Sequence, residues 1–349
     1  MKKYVEFRIP EEFATLFLDP NIGKPLGRTP LGPTVRAIRV GVDEPLYERI
    51  GEIDRQHRAQ GKGPFFFGWD IEYHYLRKEL EMAELFHLLI TAVFEPAGEE
   101  CGTVYDDSTA CPICGAGRTQ VTSLILDLRK VPKGKDIART IADEWIVSQR
   151  LAEILLDAGM TGFELRPVQH RARYEDEPVD LTKVPSGREL LRRAEEAGIE
   201  HGSWEFYVWL NRPEARELAE KAEQEYAELL ARRAARRPKP MPVWYQLVVT
   251  STPVPTVSPT RFGIHPFDED PEGRYRCPLG HVGGLNLLSE VWVSREVWDG
   301  SDIVCTKELV GIRRGLLMPA PLLLISPRLW RLLEENQIKG YKVEVAHFV

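Results

Sequence analysis

CPICGAGRTQVTSLILDLRKVPKGKDIART, residues 111–140, is matched without a gap by CPLGHVGGLNLLSEVWVSREVWDGSDIVCT, residues 277–306. At this offset of 166 the two stretches share ten identities in 30 positions, where ordinary composition gives roughly two by chance. Among them are Cys111/Cys277, Pro112/Pro278, Gly117/Gly283, Gly134/Gly300 and the dipeptides Asp136-Ile137 and Asp302-Ile303. The match resumes at an offset of 178, with IVSQRLAEILLDAGMTGFELRPV (146–168) lying over LISPRLWRLLEENQIKGYKVEVA (324–346). Upstream, LLITAVFEP (88–96) resembles LVVTSTPVP (247–255). A repeat of this length decides the organisation of the chain, because each copy has to form one supersecondary unit.

Both copies read the same way. A β-branched strand (Leu88–Phe94, Leu247–Thr252) leads into a turn-rich loop that ends at the Cys-Pro, and an extended stretch carries the chain to the Asp-Ile pair. Ser148 and Ser326 then stand as N-caps of a short helix, with Pro327 at the first helical position of the second. Leu151, Ile154, Leu155 and Ala158 form the buried stripe, mirrored by Leu329, Leu332 and Leu333. Gly159 and Asn336 end the helices, and a strand beginning at Gly162 or Gly340 closes each copy. The expected class is α+β. It comprises an N-terminal segment (1–84), a first module with a zinc-ribbon-like knuckle (85–175), a charged helical insert (187–238) and a second module with a degenerate knuckle (243–349).

Composition narrows the functional classes. Of 349 residues, 46 are Lys or Arg and 53 Asp or Glu, for a net charge of −7. Such a balance makes general nucleic-acid binding an unfavoured role. The N-terminus MKKYVEFRIPEEF has no apolar run behind its lysines, and the near-apolar stretch Gly315–Ile325 is too short to cross a bilayer. The expectation is a cytoplasmic protein without membrane contact. Five cysteines, three of them within 101–114, do not resemble a secreted disulfide framework.

The cysteines carry the clearest chemical signal. Cys111-Pro-Ile-Cys114-Gly115 has the outline of a zinc knuckle, in which two thiolates three residues apart supply half of a tetrahedral site. Upstream, Gly98-Glu-Glu-Cys101-Gly102 has the same outline with Gly98 in place of the first cysteine. Cys101, Cys111 and Cys114 are therefore the expected ligands of a structural Zn²⁺, with Asp106, Asp107, Glu99, His87 or water as the fourth. Reduced cysteines without metal and a redox pair are the alternatives, the latter disfavoured because Gly115-Ala-Gly117 reads as a turn. In the second copy, Cys277 and His281 alone make a poor site unless the fold gathers His265 and Cys305, so that copy is expected to be metal-free.

The doubled CxxCG outline, followed by the segment Asp136–Val168, resembles the bacterial double-CxxCG and related immunity proteins of contact-dependent toxin systems. The resemblance covers roughly residues 85–170, with 277–349 as its echo. It implies a protein that neutralises a cognate toxin by binding it, without catalysis.

Other features leave room for different roles. On a strand, Asp70, Glu72 and His74 would share one face and could serve as an acid–base set in a cleft. Asp143-Glu144 and Asp268-Glu269-Asp270 could hold a cation, though both read better as solvated. Phe65-Phe66-Phe67-Gly68-Trp69 reads as an apolar strand or an aromatic binding surface. In the insert, a helix opening at Pro213 carries acids in its first turns and Arg232, Arg233, Arg236 and Arg237 at its end, as the helix dipole favours. The same arginines would serve a zinc-ribbon adaptor on nucleic acid. A protein-binding role is favoured over an enzyme.

Overall fold

The computed structural model describes every residue except 20, 29–33, 172–178, 236–240, 271–276, 280, 282–284, 312–316 and 318. The class is α+β. Residues 1–84 build a four-stranded antiparallel sheet in the order Lys24–Arg28, Thr34–Gly41, Lys2–Pro10, Gly68–His74. The helix Pro45–Ala59 lies against it, and Val5, Phe7, Ile9, Ile38, Val40, Ile50 and Ile53 form the core between them. Phe65 and Phe66 belong to that core, at 0% and 3% exposed, whereas Phe67 turns outward. The aromatic run is thus mostly interior.

The paired segments each contribute to two five-stranded sheets. One has the order Phe163–Pro167, Trp244–Val249, Trp145–Ser148, Ile137–Thr140, Val93–Phe94. The other has the order Val291–Val293, Tyr341–Phe348, Leu85–Ile90, Ala320–Ile325, Ile303–Val310. Leu85–Ile90, from the first segment, runs antiparallel between two strands of the second. Trp244–Val249, from the second, runs antiparallel between two strands of the first. The segments have exchanged strands, so neither closes its sheet alone. Phe86, Leu88, Val147, Leu247, Leu323 and Val345 from the two sheets meet Leu151, Leu155, Leu329, Trp330 and Leu333 of the helices Gln149–Asp157 and Pro327–Glu335 in one core.

Corresponding residues make corresponding bonds across the junction. Ser148 and Ser326 cap their helices, each Oγ accepting the third amide onward, from Leu151 (3.2 Å) and Leu329 (3.1 Å). Asp136 accepts from Arg150 (3.0 Å) and from the amide of Lys339 (3.1 Å); Asp302 accepts from Arg328 (3.0 Å) and from the amide of Thr161 (3.1 Å). Each arginine also donates to a carbonyl at the end of the opposite helix, Arg150 to Asn336 and Arg328 to Ala158. In the first helix Gly159 takes the left-handed position after the cap (φ 59°); in the second Gln337 does so (φ 51°), one residue past Asn336.

Gly162 (φ 92°) and Gly340 (φ 115°) begin the closing strands where the two segments touch. A Cβ on either would lie 2.1 Å from a carbonyl oxygen opposite, that of Ile303 or Ile137. The close approach lets the amides of Thr250 and Thr91 reach the carbonyls of Gly162 and Gly340 at 2.9 and 2.8 Å.

Residues 181–235 form the helical insert. Pro185–Glu196, Trp204–Leu210 and Pro213–Ala235 pack through Leu190, Ala194, Phe206, Trp209 and Ala215. Glu225 fixes the start of the first by accepting from the amide (2.9 Å) and hydroxyl (2.8 Å) of Ser186. Arg232 is exposed and pairs with Glu228 at 3.4 Å. Arg236, Arg237 and the side chain of Arg233 lie outside the described residues.

Gly162→Ala and Gly340→Ala are each expected to lower the unfolding free energy by about 3 kcal/mol or more, combining left-handed backbone strain with a steric clash. Gly300→Ala, at φ 86° with nothing within 4 Å of its Cβ, should cost only about 1–2 kcal/mol. Urea denaturation measures all three, and equal losses would contradict the tight contact at the junction.

Candidate metal centre

The two Cys-Pro loops come together. The first is closed by the amide of Cys111 donating to Ala116 O (2.7 Å) and that of Gly115 to Cys111 O (2.8 Å), with Gly115 and Gly117 at φ 74° and 86°. Those left-handed glycines fold the knuckle so that both sulfurs face one way. The second loop is closed by the amide of Cys277 donating to His281 O at 3.0 Å. Cys111 Sγ stands 3.6 Å from Cys277 Sγ, and Cys114 Sγ stands 3.4 Å from His281 Nδ1.

All four donor atoms lie within 4.8 Å of one another, and the three cysteines are buried. A tetrahedral ion at about 2.3 Å from each sulfur separates the sulfurs by about 3.8 Å, close to what is seen. The cysteines are free thiols, and 3.6 Å is far beyond the roughly 2.05 Å of a disulfide bond. These four residues could hold a metal ion.

The electrostatics favour such an occupant. Amides of Cys114 and Ile113, with the neighbouring thiols, lower the Cys111 pKa to about 6 despite burial. Burial pushes Cys114 up to about 11. The Cys111 thiolate therefore forms readily, while Cys114 keeps its proton until a cation replaces it. Ala116 and Leu309 pack around the sulfurs and keep the pocket apolar.

Two expectations need correction. Cys277 and His281, read as remnants that would leave the second loop metal-free, complete the donor set of Cys111 and Cys114. Cys101 is not part of it. It ends the short 3₁₀ turn Gly98–Cys101 at 2% exposed, with its thiol pushed up by burial and facing the Asp127 backbone. The turn is anchored from the opposite side, since buried Glu144 accepts from the Gly98 amide (2.8 Å), from Thr140 Oγ1 (2.6 Å) and from the Tyr105 hydroxyl.

The other residues considered as ligands are engaged elsewhere. Glu99 and Asp107 pair with Arg118 at 2.7 and 3.6 Å, and Asp106 accepts from the Ser108 amide. His87 faces Glu344, and His265 faces Asp54. Burial raises the Cys305 thiol to about 11. Asp143 pairs with Arg139.

Asp70, Glu72 and His74 alternate along the strand Gly68–His74, and Glu72 is among the groups that raise the Asp70 pKa. Arg39, however, engages Glu72 (2.9 Å) and His74 (2.6 Å), and of the three only Asp70 borders the cleft beside this strand. The Cys277–His281 pair had left a signal, because Cys277 aligns with Cys111 itself. What sequence reasoning lacked was the strand exchange that brings the loops together.

No protein-family model matches the chain, nor does any curated protein or solved structure.

Cys277→Ser is expected to abolish metal retention as fully as Cys114→Ser, and Cys101→Ser to leave it intact. Elemental analysis of the three purified variants checks this. Retention in Cys277→Ser with loss in Cys101→Ser would restore a site confined to the first segment.

Proposed function

We propose that the chain is a non-catalytic binding protein whose interleaved halves are fastened by one structural Zn²⁺, and that it acts as an immunity protein, neutralising a cognate toxin by direct contact. The observation that carries the reading is the donor set of Cys111, Cys114, Cys277 and His281. Three thiolates and one imidazole fill a tetrahedral shell, so bound zinc would keep no position for water or substrate. Zinc there would neutralise the thiolates and cross-link two distant loops. The toxin-binding part rests on the resemblance of the knuckle and the Asp136–Val168 segment to double-CxxCG immunity proteins.

A docking surface compatible with that role lies on the helical insert. Trp204, Tyr207 and Val208 stand at 77%, 57% and 43% exposed on one side of the helix Trp204–Leu210, while Phe206 and Trp209 anchor the other side. Exposed aromatics on a fixed helix are the side chains that most often dominate binding energy at protein interfaces.

Co-expression with any toxic protein encoded beside its gene tests the reading. Wild type should restore growth. Trp204→Ala/Tyr207→Ala should fold with unchanged metal content and weaken the complex by at least about 2 kcal/mol, roughly thirtyfold in Kd. Protection by the double variant equal to wild type would remove the insert from the interface, and failure of wild type to protect would remove the immunity role.

A further inference from the structure

Between the N-terminal sheet and the sheet that holds Leu85–Ile90 lies a cleft of about 560 Å³. None of the four metal-site residues lines it. Its floor is the strand pair Leu85–Ile90 and Tyr341–Phe348, where His87 and Glu344 are cross-strand neighbours. One wall is the edge strand Gly68–His74, and Trp69 and Trp145 from opposite sides supply apolar surface.

The deep end holds polar groups that have no hydrogen-bond partners among the described residues. His87, 5% exposed, has its Nδ1 unbonded and 3.6 Å from the Glu344 carboxylate, which is 8% exposed. The Tyr73 hydroxyl is likewise buried and unbonded. Burial, with Glu344 and Glu290 nearby, holds Tyr73 above the ordinary phenol range, so it remains a neutral hydroxyl. Buried polar groups are nearly always paired, and an unpaired one costs stability unless something else satisfies it.

Two carboxylates give the cleft its character: Glu344 at the deep end and Asp70 at the rim accept hydrogen bonds, while the Tyr73 hydroxyl and the imidazole can donate or accept. Asp70 is held above the usual carboxyl range, first by desolvation against the cleft wall and also by Glu72 and Glu344, against the pull of Lys342. Lys342 is exposed at the mouth, and Arg139 is already paired with Asp143. Among the lining residues, with Arg139 and Asp143 paired, the carboxylates of Glu344 and Asp70 outnumber the one remaining cation, Lys342, while Lys3 stands outside the lining against the Tyr73 ring. Among the described residues these groups do not gather closely enough to chelate a metal.

From this geometry we infer that the cleft between Glu344, His87, Tyr73 and Asp70 binds a small organic cation, a primary amine or guanidinium on an aliphatic stem. The cationic head donates to Glu344 and Tyr73 at the deep end. The stem lies between Trp69 and Trp145, and Asp70 meets a second donor at the mouth. The volume is in the range of small-ligand sites, about 300–1,000 Å³. The inference stands apart from zinc binding and from docking on the insert, so its failure would leave both unaffected.

Calorimetric titration of the full-length protein with agmatine tests it, with tryptophan fluorescence as a second readout and 1-hexanol and glutarate as neutral and anionic controls. Agmatine should saturate with a Kd below about 1 mM, and the controls should not. Glu344→Gln, which keeps the side chain's shape, should weaken agmatine at least about tenfold. Asp70→Asn, at the exposed rim, should weaken it by about threefold and decides the case if Glu344→Gln does not fold. Absence of saturation by about 10 mM, equal affinity for 1-hexanol, or wild-type affinity in every folded variant would overturn the proposal.

Discussion

Strand exchange is the constraint on which the rest of this molecule depends. Leu85–Ile90 completes the sheet of the later segment, and Trp244–Val249 completes that of the earlier one. Once both strands are in place, the loops that follow them are carried to the same region, and two incomplete knuckles face each other. Each alone offers two donors, too few for a stable tetrahedral site. Together they offer four.

The exchange also explains the reciprocal contacts around it. Asp136 and Asp302 each bind their own helix start and an amide of the opposite segment, while Arg150 and Arg328 reach across to the far helix ends. Charge-assisted bonds of this kind are stronger than neutral ones, and they gain when the groups are shielded from solvent. A metal ion shared by the loops would add a cross-link between chain positions far apart in sequence. In the chain-entropy account of cross-links, closing so long an interval removes about 5 kcal/mol of unfolded-state freedom.

Much of this was legible in the residues. The N-caps Ser148 and Ser326, the helix stripes and the closing glycines all stand where local rules put them, because caps and turns depend on a few neighbouring atoms. The pairing of strands was not legible, since alternation along a strand records which face is buried and not whose neighbour it is. That gap produced the error over Cys277 and His281. Cys101 misled for a complementary reason: the Cys-Gly outline is local, but whether a thiol faces a metal or a core depends on packing that only the fold supplies. Asp70, Glu72 and His74 stand on one strand as their alternation implied, but a long cation, Arg39, engages the latter two, which the local pattern does not record.

X-ray absorption at the zinc edge of the purified protein addresses the central claim most directly. The account predicts a shell of three sulfurs at about 2.3 Å and one imidazole nitrogen at about 2.0 Å, reduced to two sulfurs in Cys277→Ser if any metal remains. A shell that is the same in wild type and Cys277→Ser, or one with no imidazole contribution, would contradict a centre shared between the two segments.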